Sequence, residues 1–149
     1  MFINCDESRL FVDDKPLENV KSFVYLGSTI SQKGSTALEI GRRIGLASAN
    51  FGKLRKCLWD RDDISVSTKL RVFKTAILPT ILYACETWVP LKATINTLEV
   101  FQMRCLRRIL KINIMDFKRN IDIRTETNTC SIESIIPQTR LKWSCFENG

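Results

Sequence analysis

Hydrophobic residues change their spacing near residue 36, and this change divides the chain into two parts. Before it, the segments RLFV and VKSFVYLGSTI are rich in β-branched and aromatic residues, and the turn-forming stretch DDKPLEN separates them. This pattern predicts two or three short strands within residues 9–31. After it, apolar residues recur every three or four positions, which is the spacing of an amphipathic helix.

The first helix is predicted from about Thr36 to about Trp59. Thr36 and Glu39 have the spacing of a capping box, which marks a helix start, and the segment DRDD interrupts the apolar stripe. The second helix begins near Ser65. Pro79 should end or kink it, and TILYACETW is predicted to continue as a further helical segment.

The third helix is predicted from about Leu91 to Ile112, followed by a loop at NIMDFKRN and a short fourth helix around IESIIPQTRLKW. Its apolar stripe comprises Ile95, Leu98, Phe101, Cys105, Ile109 and Ile112. The fold class is therefore mainly α, with a short N-terminal β-hairpin followed by a bundle of three to four helices. We divide it into a hairpin unit, residues 1–34, and a helical unit, residues 35–149.

The chain has 23 Lys and Arg residues against 16 Asp and Glu residues, a net charge of +7. This excess favours polyanionic partners, nucleic acid before an anionic membrane surface. No apolar stretch approaches the roughly 18–20 residues of a membrane span, and the start of the chain lacks the pattern of a secretory signal. We expect no membrane partner and an intracellular location, nuclear or cytoplasmic.

Histidine is absent from the sequence, and the six cysteines form no Cys-x-x-Cys pair. A Cys/His zinc site and a Ser-His or Cys-His nucleophile are thereby excluded. We expect free, mostly buried thiols rather than disulfides, because nothing in the sequence indicates secretion. Any enzyme with this sequence would therefore have to work through carboxylates, lysine or a metal ion.

Small residues form a line along the first helix. Gly41, Gly45, Ser48 and Gly52 lie about 100° from the centre of its apolar stripe. The simpler interpretation is close packing against another helix of the same domain. The alternative is close approach of a nucleic-acid backbone, which the basic residues bordering the line favour.

Four cations share the side of the third helix opposite its apolar stripe, namely Arg104, Arg107, Arg108 and Lys111. Such a group is either a solvated face or a set of phosphate contacts. Cations in a last turn also suit the helix dipole, by about 0.3–1 kcal/mol each, but four without an interleaved acid exceed what the dipole requires.

Several motifs in a fixed order resemble one family. SFVYLGSTIS, EIGRRIGLASANFGKL, LRVFKTAILPTILYACETW, FQMRCLRRILKI and RLKW are together similar to the region just after the palm in reverse transcriptases of non-LTR (LINE-type) retrotransposons. The similarity covers about residues 10–143. It implies that Tyr25, Leu26 and Gly27 match the loop that positions the primer end, and that the helices match the thumb, which holds the primer-template duplex.

The resemblance also implies what the chain lacks. Magnesium is expected for the parent RNA-directed DNA polymerase, held by carboxylates of a palm that precedes this region. We expect no cofactor in this chain itself, and we expect the chain to be a fragment that lacks the palm. The implied partners are an RNA–DNA or DNA duplex and the remainder of a polymerase palm.

The segment Phe11-Val12-Asp13-Asp14 has the form of a polymerase metal box, but its context argues against that role. Two-metal phosphoryl transfer needs carboxylates that converge from separate parts of a fold. Here Lys15-Pro16 follow directly, and only ten residues precede Phe11, too few for a palm. We predict that Asp13 and Asp14 are not catalytic.

The sequence therefore predicts a reverse-transcriptase fragment that grips a duplex and performs no chemistry by itself. The alternative is an independent helical protein-interaction module, and a weaker third hypothesis is sequence-specific DNA binding by the third helix. The predicted nucleic-acid-binding residues are Arg42, Arg43, Lys53, Arg55, Lys56, Arg104, Arg107, Arg108 and Lys111.

Overall fold

The computed structural model of the chain describes residues 11–12, 15–16, 18, 20–31, 36–85, 88 and 91–136. These residues form a mainly helical structure with antiparallel hairpins at its N-terminal end, which confirms the predicted fold class. Strand β1 (Phe11–Val12) pairs with β2 (Lys15–Pro16), and β3 (Ser22–Tyr25) pairs with β4 (Ser28–Ser31). The two pairs are separate two-stranded sheets, so the predicted two or three strands are four.

The turn between β3 and β4 consists of Leu26 and Gly27, because Tyr25 pairs with Ser28. Both turn residues have positive φ, 46° at Leu26 and 76° at Gly27. Two consecutive residues of this kind form a type I′ turn, whose twist matches that of a hairpin. Glycine adopts this conformation readily, whereas leucine does so at a cost of about 1–2 kcal/mol.

Helix α1 extends over Thr36–Lys53 and is followed by a π-helical turn at Arg55–Trp59. The predicted bounds are confirmed, but the predicted capping box is wrong. Thr36 is already helical, and the Glu39 carboxylate instead accepts hydrogen bonds from the Thr29 backbone N–H and from Arg43. The buried side of α1 therefore begins with an acid that binds the hairpin.

The second helix has three parts: α2 (Val66–Val72), a π-helical turn (Phe73–Ile77) and α3 (Leu78–Ile81). Ser65 caps its start, with its hydroxyl accepting a backbone N–H in the first turn. Pro79 lies in the first turn of α3, directly after the wide turn that accommodates a residue without an N–H. The α-helix ends at residue 81 and residues 82–84 are not helical, so the predicted helical continuation through TILYACETW is wrong there, and residues 86–87 of that segment lie outside the described residues.

Helix α4 extends over Lys92–Ile109, close to the predicted bounds. A short 3₁₀ turn at Ile114–Asp116 follows, and then α5 (Asn120–Thr127), which the sequence pattern does not predict. Lys74 donates to the Thr127 carbonyl at 3.1 Å, so a cation from the second helix caps the C-terminal end of α5. Residues 132–136 form a last helical turn, and the rest of the predicted fourth helix lies outside the described residues.

The hydrophobic core lies where α1 packs against α3 and α4. Trp59 is fully buried, its indole N–H donates to the Phe51 carbonyl at 2.7 Å, and its ring stacks on that of Phe51. Trp88 is also buried, so both described tryptophans pack in the core. Among the described helices, none combines the length and apolar character needed to cross a bilayer. The largest fully buried apolar side chains are Trp59, Phe73, Ile40, Ile77, Ile81, Leu98, Leu106, Ile109, Ile123 and Ile132.

The four described cysteines form no disulfide with one another. Cys85 and Cys105 are buried, whereas Cys57 and Cys130 are exposed, so the expectation of mostly buried thiols holds for two of the four. Burial raises the pKa of the Cys105 thiol to about 12. This thiol therefore stays protonated and unreactive near neutral pH.

Candidate nucleic-acid interface

Two depressions lie along the junction of α1 and α4. The first, of about 230 Å³, is lined by Ala37, Ile40, Gly41, Ile44, Ala93, Thr94 and Thr97. The second, of about 290 Å³, is lined by Ser48, Phe51, Gly52, Arg55, Phe101, Arg104, Cys105 and Arg108. Early residues of α1 face early residues of α4 and late residues face late ones, so the two helices run in the same direction. We refer to the two depressions together as the α1–α4 groove.

The glycine line of α1 borders this groove and is open. No atom of the described residues, apart from the two adjacent residues and the helix's own backbone, lies within 4 Å of the position that a Cβ would take at Gly41, Gly45 or Gly52. Ser48 is exposed as well. Within the described part of the chain, the interpretation that this line packs against another helix is therefore wrong.

Three arginines converge on the second depression, Arg55 from the end of α1, and Arg104 and Arg108 from α4. Arg104 is exposed and has no acidic partner among the described residues. Arg108 donates to Asp60 at 2.6 Å, and Arg55 donates to the other carboxylate oxygen of Asp60 at 3.2 Å. One carboxylate thus bridges two of the three arginines at this end of the groove.

Asp60 belongs to the loop 60–63, which brings acids onto the basic side of α4. The hydrogen bond from Arg108 is the main cause that lowers the pKa of Asp60. Asp62 forms an ion pair with Lys111, which lowers the pKa of that carboxyl in the same way. Lys111 and Arg108 are therefore partly neutralised in this structure.

Lys53 and Lys56 are exposed at the end of α1, and neither has an acidic partner among the described residues. Arg107 is different, because it is half-buried and donates to the Lys118 carbonyl at 2.9 Å and to Asn120 Oδ1 at 2.8 Å. These bonds attach the start of α5 to α4. Arg107 thus has a structural task that the sequence did not indicate.

Arg42 and Arg43 lie at the other end of α1 and contact the hairpin turn. Arg42 donates to the Gly27 carbonyl at 2.7 Å, and Arg43 Nη2 donates to the same carbonyl. Arg43 is only 6% exposed and forms an ion pair with Glu39, so it has little surface left for a phosphate. Its predicted role in nucleic-acid binding therefore has no support from its position.

The turn that the resemblance assigns to primer positioning has exposed side chains, and its backbone carbonyls accept hydrogen bonds from the helical part of the protein. Tyr25 is 60% exposed and Leu26 is 74% exposed, so both side chains face solvent. The Tyr83 hydroxyl donates to the Leu26 carbonyl at 2.7 Å, and the Arg43 guanidinium lies 4.2 Å from the centroid of the Tyr83 ring. A strained, exposed turn that is fixed by several contacts is typical of a binding element.

The hairpin lies against α1, and the contacts described there are polar rather than apolar. Within β3, only Phe23 is half-buried, while Val24 and Tyr25 are exposed. The contacts that fix the hairpin are the hydrogen bonds to Glu39, to the two arginines of α1 and to Tyr83. Sequence reasoning missed these partners because a glutamate and a tyrosine among apolar residues give no local signal of a long-range hydrogen bond.

The described residues contain no group of three His, Cys, Asp or Glu side chains placed to hold a metal ion. Asp13 and Asp14 lie outside the described residues, so their predicted lack of a catalytic role stays a prediction. The polar chemistry visible at the α1–α4 groove is that of arginine donors, which bind anions.

Comparison with known proteins leaves the family of this chain open. The chain matches no protein-family model, no curated protein and no solved structure.

Proposed function

We propose that this chain holds a nucleic-acid duplex by its sugar-phosphate backbone, as the grip of a reverse-transcriptase-like polymerase. One observation carries the proposal: an open glycine line borders a groove whose far end is lined by Arg55, Arg104 and Arg108. Glycines allow another backbone to approach a helix closely, and arginines bind phosphate oxygens.

The dimensions of the groove suit one strand of a duplex. Gly41 and Gly52 are eleven positions apart in the helix, which corresponds to about 17 Å along α1. Phosphates on one DNA strand follow one another about every 3.4 Å along the helix axis, so several would lie beside this line. Contacts of this kind are independent of base sequence, which is what a polymerase needs from the element that holds its product.

The hairpin turn would have a second task in the proposal. Tyr25, Leu26 and Gly27 would contact the end of the primer strand, as in the reverse transcriptases that this sequence resembles. Their exposure and the contacts that fix the turn support this role. The palm of such a polymerase would supply the carboxylates and magnesium, and this chain would supply the grip.

The proposal is tested by filling the groove without changing its charge. Gly52→Gln introduces a long neutral side chain at the second depression, and glutamine is the better helix former, so stability should not fall. We expect binding to an RNA–DNA hybrid to weaken by about tenfold or more, because a blocked groove removes several phosphate contacts together. Binding is measured by fluorescence anisotropy over a series of salt concentrations.

Asn50→Gln is the control, because Asn50 is exposed on the same helix but does not line the groove. This variant should bind like the wild type. The wild type should show a Kd of about 10⁻⁴–10⁻⁶ M at physiological salt and a steep loss of affinity with salt. If the wild type fails to bind at low salt, or if Gly52→Gln binds as tightly as Asn50→Gln, the proposal is wrong.

A protein-interaction module is the second candidate function. It is favoured by three large apolar side chains near the start of α5: Met115 is 80% exposed, Phe117 is 84% exposed and Ile121 is 70% exposed. Phe117 also has a φ of 45°, which is unfavourable for a bulky residue. Binding of a protein through these residues would resist salt, in contrast to binding of a duplex.

A further inference from the structure

The carboxylate of Asp60 occupies a position that suits a phosphate group. It lies between Arg55 and Arg108, with one oxygen 2.6 Å from Arg108 Nη2 and the other 3.2 Å from Arg55 Nε. All three side chains are 40–61% exposed, and the two arginines line the second depression, so an external anion can reach them. Two arginines that converge on one pair of oxygens form the donor arrangement that binds a phosphodiester.

We infer that Asp60 acts as an internal competitor of nucleic acid, holding Arg55 and Arg108 until a strand phosphate displaces it. The inference rests on the proposed function and adds a regulatory element to the same groove. Exposed ion pairs of this kind contribute little to the stability of a fold, so an incoming phosphate can replace one at small cost. Arg104, which has no acidic partner among the described residues, is available for the first contact.

The same loop provides a second acid on this side and a matched control. Asp62 pairs with Lys111 of the segment after α4, so two acids from residues 60–63 reach cations that a strand would otherwise contact. Asp63 pairs with Arg61 within the loop, at 2.6 Å, and neither residue lines the groove. Removing the charge of Asp63 therefore changes the net charge by the same amount as removing the charge of Asp60, but it does not release a groove arginine.

The test compares Asp60→Asn with Asp63→Asn in binding to a short RNA–DNA hybrid. We expect Asp60→Asn to raise the affinity about two- to tenfold over the wild type, the range that one or two exposed ion pairs allow. Asp63→Asn should raise it clearly less. In a background carrying Arg55→Gln and Arg108→Gln, Asp60→Asn should raise the affinity no more than Asp63→Asn does, because no arginine remains to be released.

Equal effects of Asp60→Asn and Asp63→Asn, with a wild type that binds, would overturn the inference and leave the proposed function intact. So would an effect of Asp60→Asn in the double-arginine background that still exceeds the effect of Asp63→Asn. If no variant binds the hybrid at low salt, the proposed function fails, and the inference fails with it. Thermal unfolding verifies that each variant is folded, and Asp60→Ser serves as the second variant should Asp60→Asn unfold.

Discussion

Arg43 and Glu39 form a buried ion pair one turn apart on α1, with Arg43 Nε 2.6 Å from Glu39 Oε1. Both side chains also bind the hairpin, because Glu39 accepts the Thr29 N–H at 2.8 Å and Arg43 donates to the Gly27 carbonyl. The pair therefore connects the hairpin to the helical part of the protein. Loss of either partner should loosen the turn that presents Tyr25 and Leu26.

Replacing Arg43 by leucine should lower the free energy of unfolding by about 3 kcal/mol. The substitution leaves the buried Glu39 carboxylate with only the more distant Arg42 guanidinium, 3.8 Å away, and a poorly paired buried charge is costly. Arg42→Leu is the matched control, because Arg42 is 37% exposed and its loss should cost about 1 kcal/mol or less. Urea unfolding followed by circular dichroism measures both values. Similar losses for the two variants would show that the buried pair has no special role.

Glu39 should also make stability depend on acidic pH. Burial of the carboxyl raises its pKa, but the hydrogen bonds from Thr29 and Arg43 outweigh burial, so the pKa lies below the usual value. A lowered pKa in the folded state stabilises the protein above the unfolded-state pKa of about 4.3 and loses this effect as pH falls through the folded value. The free energy of unfolding should therefore decrease below about pH 4.3.

Glu39→Gln isolates the contribution of this carboxyl to the acid dependence. Asp60, Asp62 and Asp63 also have lowered pKa values, so some loss of stability at low pH should persist in the variant. The slope of stability against pH, measured from about pH 5 to about pH 3, should be shallower in Glu39→Gln than in the wild type. Equal slopes in the two proteins would show that Glu39 does not contribute to the pH dependence of stability.

Alanine substitutions at two glycines should change the free energy of unfolding in opposite directions. Gly41→Ala should raise the free energy of unfolding by about 0.5–1 kcal/mol, because the position is helical and open. Gly27→Ala should lower it by about 1 kcal/mol or more, because φ is +76° there. The nearest atom to the added Cβ at Gly27 is 4.0 Å away, so the cost comes from backbone strain rather than from a clash. Chemical denaturation of both variants tests the pair, and a stabilised Gly27→Ala would contradict the turn geometry.

The sequence predicts a helix correctly where several apolar residues recur at helical spacing, and it misses a helix that has few such residues. Leu98, Phe101, Cys105 and Ile109 recur at helical spacing in α4, and all four are buried as that spacing predicts. Helix α5 was missed because Ile121 is 70% exposed and leaves too few buried apolar residues for a clear stripe. Contacts with α4 and the cap from Lys74 stabilise α5, and neither is visible in a local pattern.

The candidate site could be predicted as a set of cations but not as a surface. A helical wheel places Arg104, Arg107 and Arg108 on one face, yet it says nothing about their partners. Arg108 binds Asp60, which is 48 residues away in the chain, and Arg107 binds the start of α5. Such pairings arise from the tertiary packing of helices, so the sequence could not separate cations that are available to a phosphate from those already engaged.

Substitution of Arg104 should therefore affect mainly binding, whereas substitution of Arg107 should affect mainly stability. Arg104→Gln should leave the free energy of unfolding within about 0.5 kcal/mol of the wild type, because the side chain is exposed and has no acidic partner among the described residues. It should weaken hybrid binding and make the log–log salt slope shallower by about 0.9, the value for one phosphate contact. Arg107→Gln should instead lower stability by about 1–2 kcal/mol, because it removes hydrogen bonds to Lys118 and Asn120.

Arg71→Gln is the control for the change in charge, since Arg71 is exposed on α2 and does not line the groove. Its effect on affinity should be smaller than that of Arg104→Gln, and its salt slope should match the wild type. Anisotropy titrations at several salt concentrations and urea unfolding of the same samples give the two measurements for each variant. If Arg107→Gln weakened binding more than Arg104→Gln and left stability unchanged, Arg107 would be a phosphate contact, and the duplex would lie along the outer face of α4 instead of in the groove.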